Sequence, residues 1–384
     1  MKSVRILSII GTRPELIKMM PVVRELENFK DKVQSIVLTT AQHREMLDQM
    51  VSTLSVHLDY DLDLMLNNQH LYQISRNILE RIPMVLNREK PDIILTQGDT
   101  TTTFIASLAA FYQKITIAHI EAGLRTFNKY YPYPEEMNRR LTSVLADYHF
   151  APTLRAKNNL LKEGIESKKI FVTGNTVVDA LSLIHKSPSC SENPVFKKDN
   201  FQEKKVILVT AHRRENFGEP LKNISLALKK LVNIFEDIEI IFPLHLNPNV
   251  KNMVEGLLGN IDRIHLVGPL DYITFIHLIS RSYLILSDSG GIQEEAPSFG
   301  KPVLVMRDVT ERPEGIEVGA VKLVGTDTQN IIQHVSTLIQ SKEEYHKMSQ
   351  TKNPYGDGKA AIRIVGFLLY KHGLLHKLPE EYTI

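Results

Sequence analysis

The chain has 384 residues, of which 43% are hydrophobic and 23% charged, a composition that predicts a globular protein large enough for two domains. Its 46 Lys and Arg residues against 44 Asp and Glu residues leave a net charge of +2, so neither nucleic acid nor an anionic membrane is an expected partner. The single cysteine, Cys190, excludes an internal disulfide, a Cys-based zinc site and a CxxC redox centre.

Short β-branched runs alternate with longer amphipathic stretches along the chain. The first run, VRILSII at 4–10, is too short for a signal peptide and no run is long enough to span a membrane, so we expect a cytoplasmic protein. Six such runs extend to 170–174, and after a polar, proline-containing stretch at 185–205 six more extend from 206–210 to 321–325. Because the runs are continuously apolar, they indicate strands buried on both faces of parallel sheets.

Two successive sets of six strands predict an α/β fold with two Rossmann-like, doubly wound domains. We place these domains at residues 1–175 and 176–359. The last pattern, GKAAIRIVGFLLYKHGLL, predicts a helix without a further strand. We therefore expect a C-terminal helix at 360–384 to pack back on the first domain.

Polar residues follow many of the predicted strands. In doubly wound sheets ligands bind beyond the carboxyl ends of the strands. A single polar loop is more readily explained as a helix cap or a solvated turn, but several at equivalent edges predict an interdomain cleft lined with carboxylates and cations. The segments are GTRPELIK, QGDTTT, HIEAGLRT, AHRREN, PLHLNP and SDSGG.

The cations among these segments favour an anionic ligand. Gly290 and Gly291 let backbone approach a phosphate closely at a helix start, although Ser289 at this position also suits a simple helix cap. No P-loop or GxGxxG motif is present, so a nucleoside diphosphate fits better than ATP or NAD, with Glu295 accepting hydrogen bonds from the ribose. The side chains available for the diphosphate are Arg13, Lys18, His212 and Arg312.

These segments resemble the bacterial UDP-N-acetylglucosamine 2-epimerase family, non-hydrolysing branch. The resemblance runs in order from about residue 5 to residue 362 and includes GTRPELIKMMPVV, HIEAGLRT, TAHRREN and SDSGGIQEEAPSFGKPVLVMRDVTERPE. It implies a GT-B-like pair of domains and interconversion of UDP-GlcNAc and UDP-ManNAc in the cleft. It also implies a homodimer without a redox cofactor, and the spacing of the 14 histidines suggests no metal site.

The resemblance assigns roles to particular residues. The implied catalytic residues are Asp99, Glu121, Glu135 and His212. The implied substrate ligands are Arg13, Lys18, Asp99, Glu121, His212, Leu270, Phe275, Ser289, Gly290, Gly291, Glu295 and Arg312. A second, regulatory UDP-GlcNAc site is implied at Gln42, His43, Arg213 and His245. Family members often carry Gln in place of Leu270, and some differ at Glu45 and Asn68, so regulation is expected to differ in strength.

Structural explanations compete with some of these roles. Asp99 also suits a cap for a helix beginning at Thr101, Glu135 a first-turn acid, and His119 a buried residue at a strand end. His43 also suits a packing residue at a helix start.

Inversion at C2 of the sugar requires loss of a proton that no neighbouring carbonyl activates. Because the chain shows no nicotinamide motif, elimination of UDP to a 2-acetamidoglucal followed by re-addition is the expected route. A hydrolysing epimerase that releases ManNAc, a GT-B glycosyltransferase and a non-catalytic UDP-sugar sensor remain alternatives. The three carboxylates disfavour the last two.

Overall fold

The computed structural model describes residues 3–40, 51, 56–64, 69–185, 204–244 and 247–384. Contacts divide the chain into two compact units. The first unit comprises Met1–Ala180 and Tyr355–Ile384, and the second comprises Leu181–Pro354. Cys190 lies outside the described residues.

The described part of the first unit contains a seven-stranded parallel sheet in the order β3-β2-β1-β4-β5-β6-β7. Its strands are β1 (Val4–Ile10), β2 (Val33–Thr39), β3 (Tyr60–Asp61), β4 (Ile93–Gln97), β5 (Thr116–Ile120), β6 (Tyr148–Ala151) and β7 (Ile170–Val172). The sequence pattern predicts only six of them. The strand it misses, β3, has two residues and pairs with β2 at the edge, so it is too short to leave a hydrophobic pattern.

Both faces of this sheet are buried, which explains the continuous apolar runs. Leu7, Ile94 and Ile117 belong to one core cluster. Their chain neighbours Ile6 and Ile93, which point to the opposite face, are also buried. The described helices of the first unit, apart from the C-terminal one, are α1 (Arg13–Glu27), α2 (Leu71–Glu89), α3 (Thr101–Tyr112), α4 (Glu135–Leu145), α5 (Leu154–Lys162) and α6 (Thr176–His185), and residues 181–185 of α6 belong to the second unit.

The second unit contains a six-stranded parallel sheet in the order β10-β9-β8-β11-β12-β13. Its strands are β8 (Lys205–Thr210), β9 (Ile238–Pro243), β10 (Ile264–Val267), β11 (Leu284–Ser287), β12 (Val303–Val305) and β13 (Val321–Leu323). The flanking helices are α7 (Glu219–Ile234), α8 (Pro248–Leu258), α9 (Tyr272–Arg281), α10 (Gly290–Glu295), α11 (Pro313–Glu317), α12 (Thr328–Gln340) and α13 (Lys342–Ser349). These two doubly wound parallel sheets confirm the predicted fold class.

Each sheet reverses its winding at one point, and this decides which loops become neighbours. β1 lies beside β4 in the first unit, and β8 lies beside β11 in the second. Loops that leave adjacent strands at such a point run in opposite directions and leave a crevice for a ligand. Arg13 and Asp99 follow β1 and β4, whereas His212 and Ser289 follow β8 and β11.

The last helix, α14 (Ala360–Lys371), packs against α1 in the first unit and is shorter than the predicted 360–384. Asp179 caps it by accepting hydrogen bonds from the backbone N–H groups of Ala361 at 2.8 Å and Ala360 at 3.2 Å. Burial raises the pKa of Asp179 to about 6. Within the described ranges, no helix combines the length and apolar character needed to cross a membrane.

Candidate active site

A buried carboxylate joins the two loops at the reversal point of the first sheet. Glu15 is 3% exposed, and its Oε2 accepts hydrogen bonds from the backbone N–H groups of Gly11 at 2.8 Å and Thr12 at 2.6 Å. Its Oε1 accepts from the hydroxyls of Thr100 at 2.6 Å and Thr103 at 2.9 Å. Burial, opposed in part by these hydrogen bonds, raises the pKa of Glu15. Glu15 thus fixes the loop after β1 relative to the loop after β4.

Glu121 is held by three side chains from different parts of the first unit. Lys18 Nζ lies 2.6 Å from its Oε2 and 2.8 Å from its Oε1. Gln97 donates to Oε2, and Asn175 donates to Oε1 at 3.4 Å. Glu121 also has a positive φ of 65°, a conformation that L residues seldom adopt and that surrounding contacts must maintain. The carboxylate is therefore placed at a defined position at the end of β5.

Asp99 is held by helix α4 and does not cap α3. Thr100 is the cap, since its hydroxyl accepts a hydrogen bond from the Thr103 backbone N–H. Arg139 donates to Asp99 Oδ2 at 2.5 Å, and Asn138 donates to the Asp99 carbonyl at 3.0 Å. The capping explanation for Asp99 is thus wrong, and its side chain forms an ion pair instead.

His119 supports the glycine that precedes Asp99. The imidazole is fully buried, and its Nε2 donates to the carbonyl of Gly98 at 2.7 Å. Gly98 has a φ of +76°, which glycine tolerates at this turn. Burial lowers the pKa of His119 to about 4, so the ring is neutral at neutral pH.

Glu135 and Glu136 begin helix α4 and have different surroundings. Glu136 is fully buried and accepts hydrogen bonds from the backbone N–H groups of Thr126 at 3.0 Å and Phe127 at 3.1 Å. Glu135 is half-buried and is the first residue of the helix. This position agrees with the structural explanation, in which Glu135 is an acid in the first turn. Since Glu136 supports the preceding loop, Glu135 is the acid of this pair that remains a catalytic candidate.

In the second unit, Asp288 joins the loop after β8 to the loop after β11. Its Oδ2 accepts hydrogen bonds from the backbone N–H groups of His212 and Arg213, both at 2.9 Å, and from Asn216 Nδ2 at 3.0 Å. Its Oδ1 lies 3.2 Å from Nδ1 of the His212 imidazole. A single carboxylate therefore binds the backbone of His212 and lies beside its ring.

Arg312 is held over the glycine turn by two carboxylates. Its Nε donates to Glu294 Oε1 at 2.5 Å, and its Nη1 donates to Glu311 Oε1 at 2.9 Å. A Cβ added at Gly290 would lie 2.6 Å from Arg312 Nη1. A side chain at position 290 would thus force the guanidinium group to shift.

Glu311 lies among three arginines. Burial alone would raise the pKa of Glu311, but Arg312, Arg307 and Arg213 outweigh it and lower the pKa to about 2. Arg213, a predicted regulatory residue, donates to Glu311 Oε1 at 3.0 Å. These charges give the loop before α11 a fixed position.

The predicted nucleoside ligands lie around the start of α9 and at the last residue of α10. Tyr272 donates its hydroxyl hydrogen to Glu295 Oε1 at 2.8 Å, which orients the predicted ribose acceptor. Leu270 and Phe275 are half-buried on either side of Tyr272 along the chain. Ser289 occupies the N-cap position of α10, but its side chain makes no capping hydrogen bond, so the simple capping explanation is wrong.

The predicted regulatory site is described only in part. Gln42, His43 and His245, together with Glu45 and Asn68, lie outside the described residues. Within the residues that the structure describes, no cluster of three or more His, Cys, Asp or Glu side chains has the arrangement of a metal site.

Sequence reasoning did not identify the side chains that hold the candidate catalytic groups. Asn138 and Arg139 lie one turn after Glu135 on α4, so helical spacing is a signal that could have identified them. The remaining supporting residues bind partners on other segments, and the sequence does not show those pairings. They are Glu15, Gln97, Asn175, Tyr272 and Asp288.

Comparison with known proteins places the chain in a family. Residues 24–369 match the sequence profile described as UDP-N-acetylglucosamine 2-epimerase. The UDP-N-acetylglucosamine 2-epimerase of Bacillus subtilis is 50% identical over 383 residues, covering 100% of both chains. The crystal structure of UDP-GlcNAc 2-epimerase from Neisseria meningitidis bound to UDP-GlcNAc is 53% identical, with a TM-score of 0.84 over 95% of this chain and 100% of that one.

A third relative extends the likeness to a UDP complex. The S. aureus MnaA–UDP structure is 47% identical, with a TM-score of 0.86 over 99% of this chain and 100% of that chain. These three relatives each match at least 95% of this chain. The chain belongs to the UDP-N-acetylglucosamine 2-epimerase family.

Proposed function

We propose that this protein interconverts UDP-GlcNAc and UDP-ManNAc by inverting C2 of the sugar, without releasing the sugar from UDP at the end of the cycle. The observation that carries the proposal is the full-length family match at about half identity, with UDP-GlcNAc bound to the Neisseria relative. The carboxylates of Asp99, Glu121 and Glu135 in the first unit agree with proton transfer at a sugar carbon.

The proposed reaction is an elimination followed by an addition. The C1–O bond breaks and UDP leaves with the electron pair, while one carboxylate takes the proton from C2 and the C1–C2 double bond of a 2-acetamidoglucal forms. A second carboxylate returns a proton to the opposite face of C2, and the UDP oxygen adds again at C1. Asp99, Glu121 and Glu135 are the groups proposed for these two transfers.

The proposed ligands of the nucleotide are those that the family resemblance implies. Cationic and backbone groups hold the diphosphate as its charge develops, which favours departure of UDP. Glu295 binds the ribose, and Leu270 and Phe275 contact the uracil. The proposed diphosphate ligands are Arg13, Lys18, His212, Ser289, Gly290, Gly291 and Arg312.

An NMR time course with UDP-GlcNAc in D2O tests this function. UDP-ManNAc that carries deuterium at C2 would support the epimerase, because the proton returned to C2 comes from solvent. Free ManNAc would identify a hydrolysing enzyme, and an unchanged substrate would identify a glycosyltransferase or a sensor. Either of these results would overturn the proposal.

Amide variants test the carboxylates one at a time. Asp99→Asn, Glu121→Gln and Glu135→Gln should each lower turnover about 10²-fold or more, since acid–base groups typically contribute ~10²–10⁴-fold. UDP binding, measured by calorimetry, should change little. Turnover close to that of the wild type in all three variants would contradict the assignment.

We also propose a cytoplasmic homodimer regulated by its own substrate, with a product used in polysaccharide biosynthesis.

The proposed regulatory site would bind a second UDP-GlcNAc that favours the catalytically competent state. Its residues are Gln42, His43, Arg213 and His245. Typical couplings of ~1–3 kcal/mol change affinity about 5- to 150-fold, so the reaction from UDP-ManNAc should accelerate when UDP-GlcNAc is added. His43→Ala should remove this activation. A lag-free reaction that ignores added UDP-GlcNAc would contradict the second site, and light scattering would test the dimer.

A further inference from the structure

Asp288 is fully buried, yet one of its two oxygens accepts no hydrogen bond from any residue that the structure describes. The other oxygen, Oδ2, accepts three hydrogen bonds from the loop after β8. Oδ1 lies 3.2 Å from Nδ1 of His212, within ion-pair distance. The two oxygens of one carboxylate therefore have different roles.

A buried carboxylate oxygen without a donor is costly, because folding removes its water and returns nothing. A hydrogen on His212 Nδ1 would supply the missing donor after a small rotation of the ring. The ring has room to rotate, since the side chain of His212 is 44% exposed. The buried oxygen thus favours the state of the imidazole in which Nδ1 carries a hydrogen.

We propose that Asp288 is the positioning residue of His212, and that it fixes the imidazole with Nδ1–H directed at Oδ1. This inference rests on the proposed function, in which His212 acts on the diphosphate. The backbone hydrogen bonds to Oδ2 hold the start of the side chain, and Oδ1 holds the ring. An exposed imidazole is thereby held at two points.

The consequence concerns the second ring nitrogen. If Nδ1 keeps its hydrogen in both the neutral and the charged ring, protons are gained and lost at Nε2 alone. The charged ring then donates from Nε2 to a diphosphate oxygen, and the neutral ring accepts a proton there. Asp288 also directly precedes Ser289 and Gly290 in the chain. The residue that positions the imidazole is therefore next to the glycine turn.

Asp288→Asn separates the role in the loop from the role at the ring. The amide oxygen can take the place of Oδ2 and accept the same three hydrogen bonds. The amide NH₂ then faces Nδ1 as a donor, which requires Nδ1 to be the acceptor and moves the ring hydrogen to Nε2. The substitution should therefore retain the loop and reverse the tautomer.

The tautomer is measured directly by ¹⁵N NMR of histidine-labelled enzyme at a pH where the ring is neutral, with the His212 signal identified by its loss in His212→Asn. We expect hydrogen on Nδ1 in the wild type and on Nε2 in Asp288→Asn. Hydrogen on Nε2 in the wild type, or the same tautomer in both proteins, would overturn the proposal. The wild-type measurement needs no variant to fold and no activity.

Asn216→Ser is the matched control, because Asn216 donates to the same carboxylate at Oδ2 and to the Met306 carbonyl at 3.3 Å without contacting the ring. It should keep the wild-type tautomer and stay within a few-fold of wild-type kcat, even if its melting temperature falls. Asp288→Asn should lower kcat about 10²-fold at a similar KM. An equal loss of kcat in both variants would show a purely structural role. A wild type that does not epimerise would overturn the proposed function alone, since the tautomer is read independently.

Discussion

The ammonium group of Lys18 lies 2.6 Å from one oxygen of Glu121 and 2.8 Å from the other. A predicted phosphate ligand and a predicted acid–base group thus form one ion pair. A diphosphate that drew Lys18 away would leave Glu121 with less positive charge beside it and more ready to accept a proton. The pair therefore offers a physical link between the predicted phosphate ligand and the predicted acid–base group.

Breaking this pair should affect stability as well as turnover. Lys18→Met leaves a carboxylate that is 8% exposed without its cation, so it should lower the free energy of unfolding by about 2 kcal/mol. The double variant with Glu121→Gln should recover most of that loss and remain inactive. Urea unfolding of the wild type, the two single variants and the double variant measures the coupling free energy between Lys18 and Glu121. Losses that simply add in the double variant would contradict the coupling.

The Arg139–Asp99 pair should matter for catalysis more than its neighbour on α4. Arg139 is 12% exposed and contacts Asp99 at 2.5 Å, whereas Arg140 is 45% exposed and lies 3.7 Å from Glu163. Arg139→Met should lower kcat roughly 10-fold or more because Asp99 loses its orientation. Arg140→Met is the control and should stay near the wild type in the same assay. Similar kinetics in the two variants would exclude this role for Arg139.

Two adjacent glycines should respond differently to alanine. A Cβ at Gly290 would lie 2.6 Å from Arg312 Nη1, whereas a Cβ at Gly291 meets nothing within 4 Å. Gly290→Ala should displace the guanidinium and weaken UDP binding about tenfold, a loss of about 1.4 kcal/mol. Calorimetric titration of both variants with UDP measures this loss. Gly291→Ala is the control for the added methyl group, and thermal unfolding checks that both variants fold. Equal weakening of UDP binding in both variants would contradict displacement of Arg312.

Stability should fall in mild acid because of His119. Burial lowers the pKa of His119 from 6.5 to about 4, so between these values the unfolded chain binds a proton that the folded chain does not. The free energy of unfolding therefore decreases as the pH falls through this window. His119 accounts for a decrease of about 2 kcal/mol between pH 6.5 and pH 5.

His119→Gln removes the titration and keeps a donor for the Gly98 carbonyl. Its unfolding free energy should be less dependent on pH than that of the wild type over the same window. Urea unfolding at pH 7 and pH 5 measures the difference. An unchanged pH dependence would show that His119 is not the responsible group.

The amino-acid pattern alone predicts the parallel sheets and the loops that carry the predicted ligands. Continuous apolar runs such as VRILSII signal strands buried on both faces, and this pattern is local. The order of motifs from GTRPELIK to SDSGG likewise identified the family without coordinates. The two-residue strand Tyr60–Asp61 was missed because it is too short to carry a pattern.

The side chains that support each candidate group become apparent in the folded chain and not in its sequence. Lys18 reaches Glu121 across 103 positions, Arg139 reaches Asp99 across 40 and Asp288 reaches the His212 backbone across 76. These partners meet because sheet order places β1, β4 and β5 side by side and β8 beside β11, a long-range property that no segment encodes alone. Each carboxylate has several possible partners in the sequence, and packing selects among them by distance and burial.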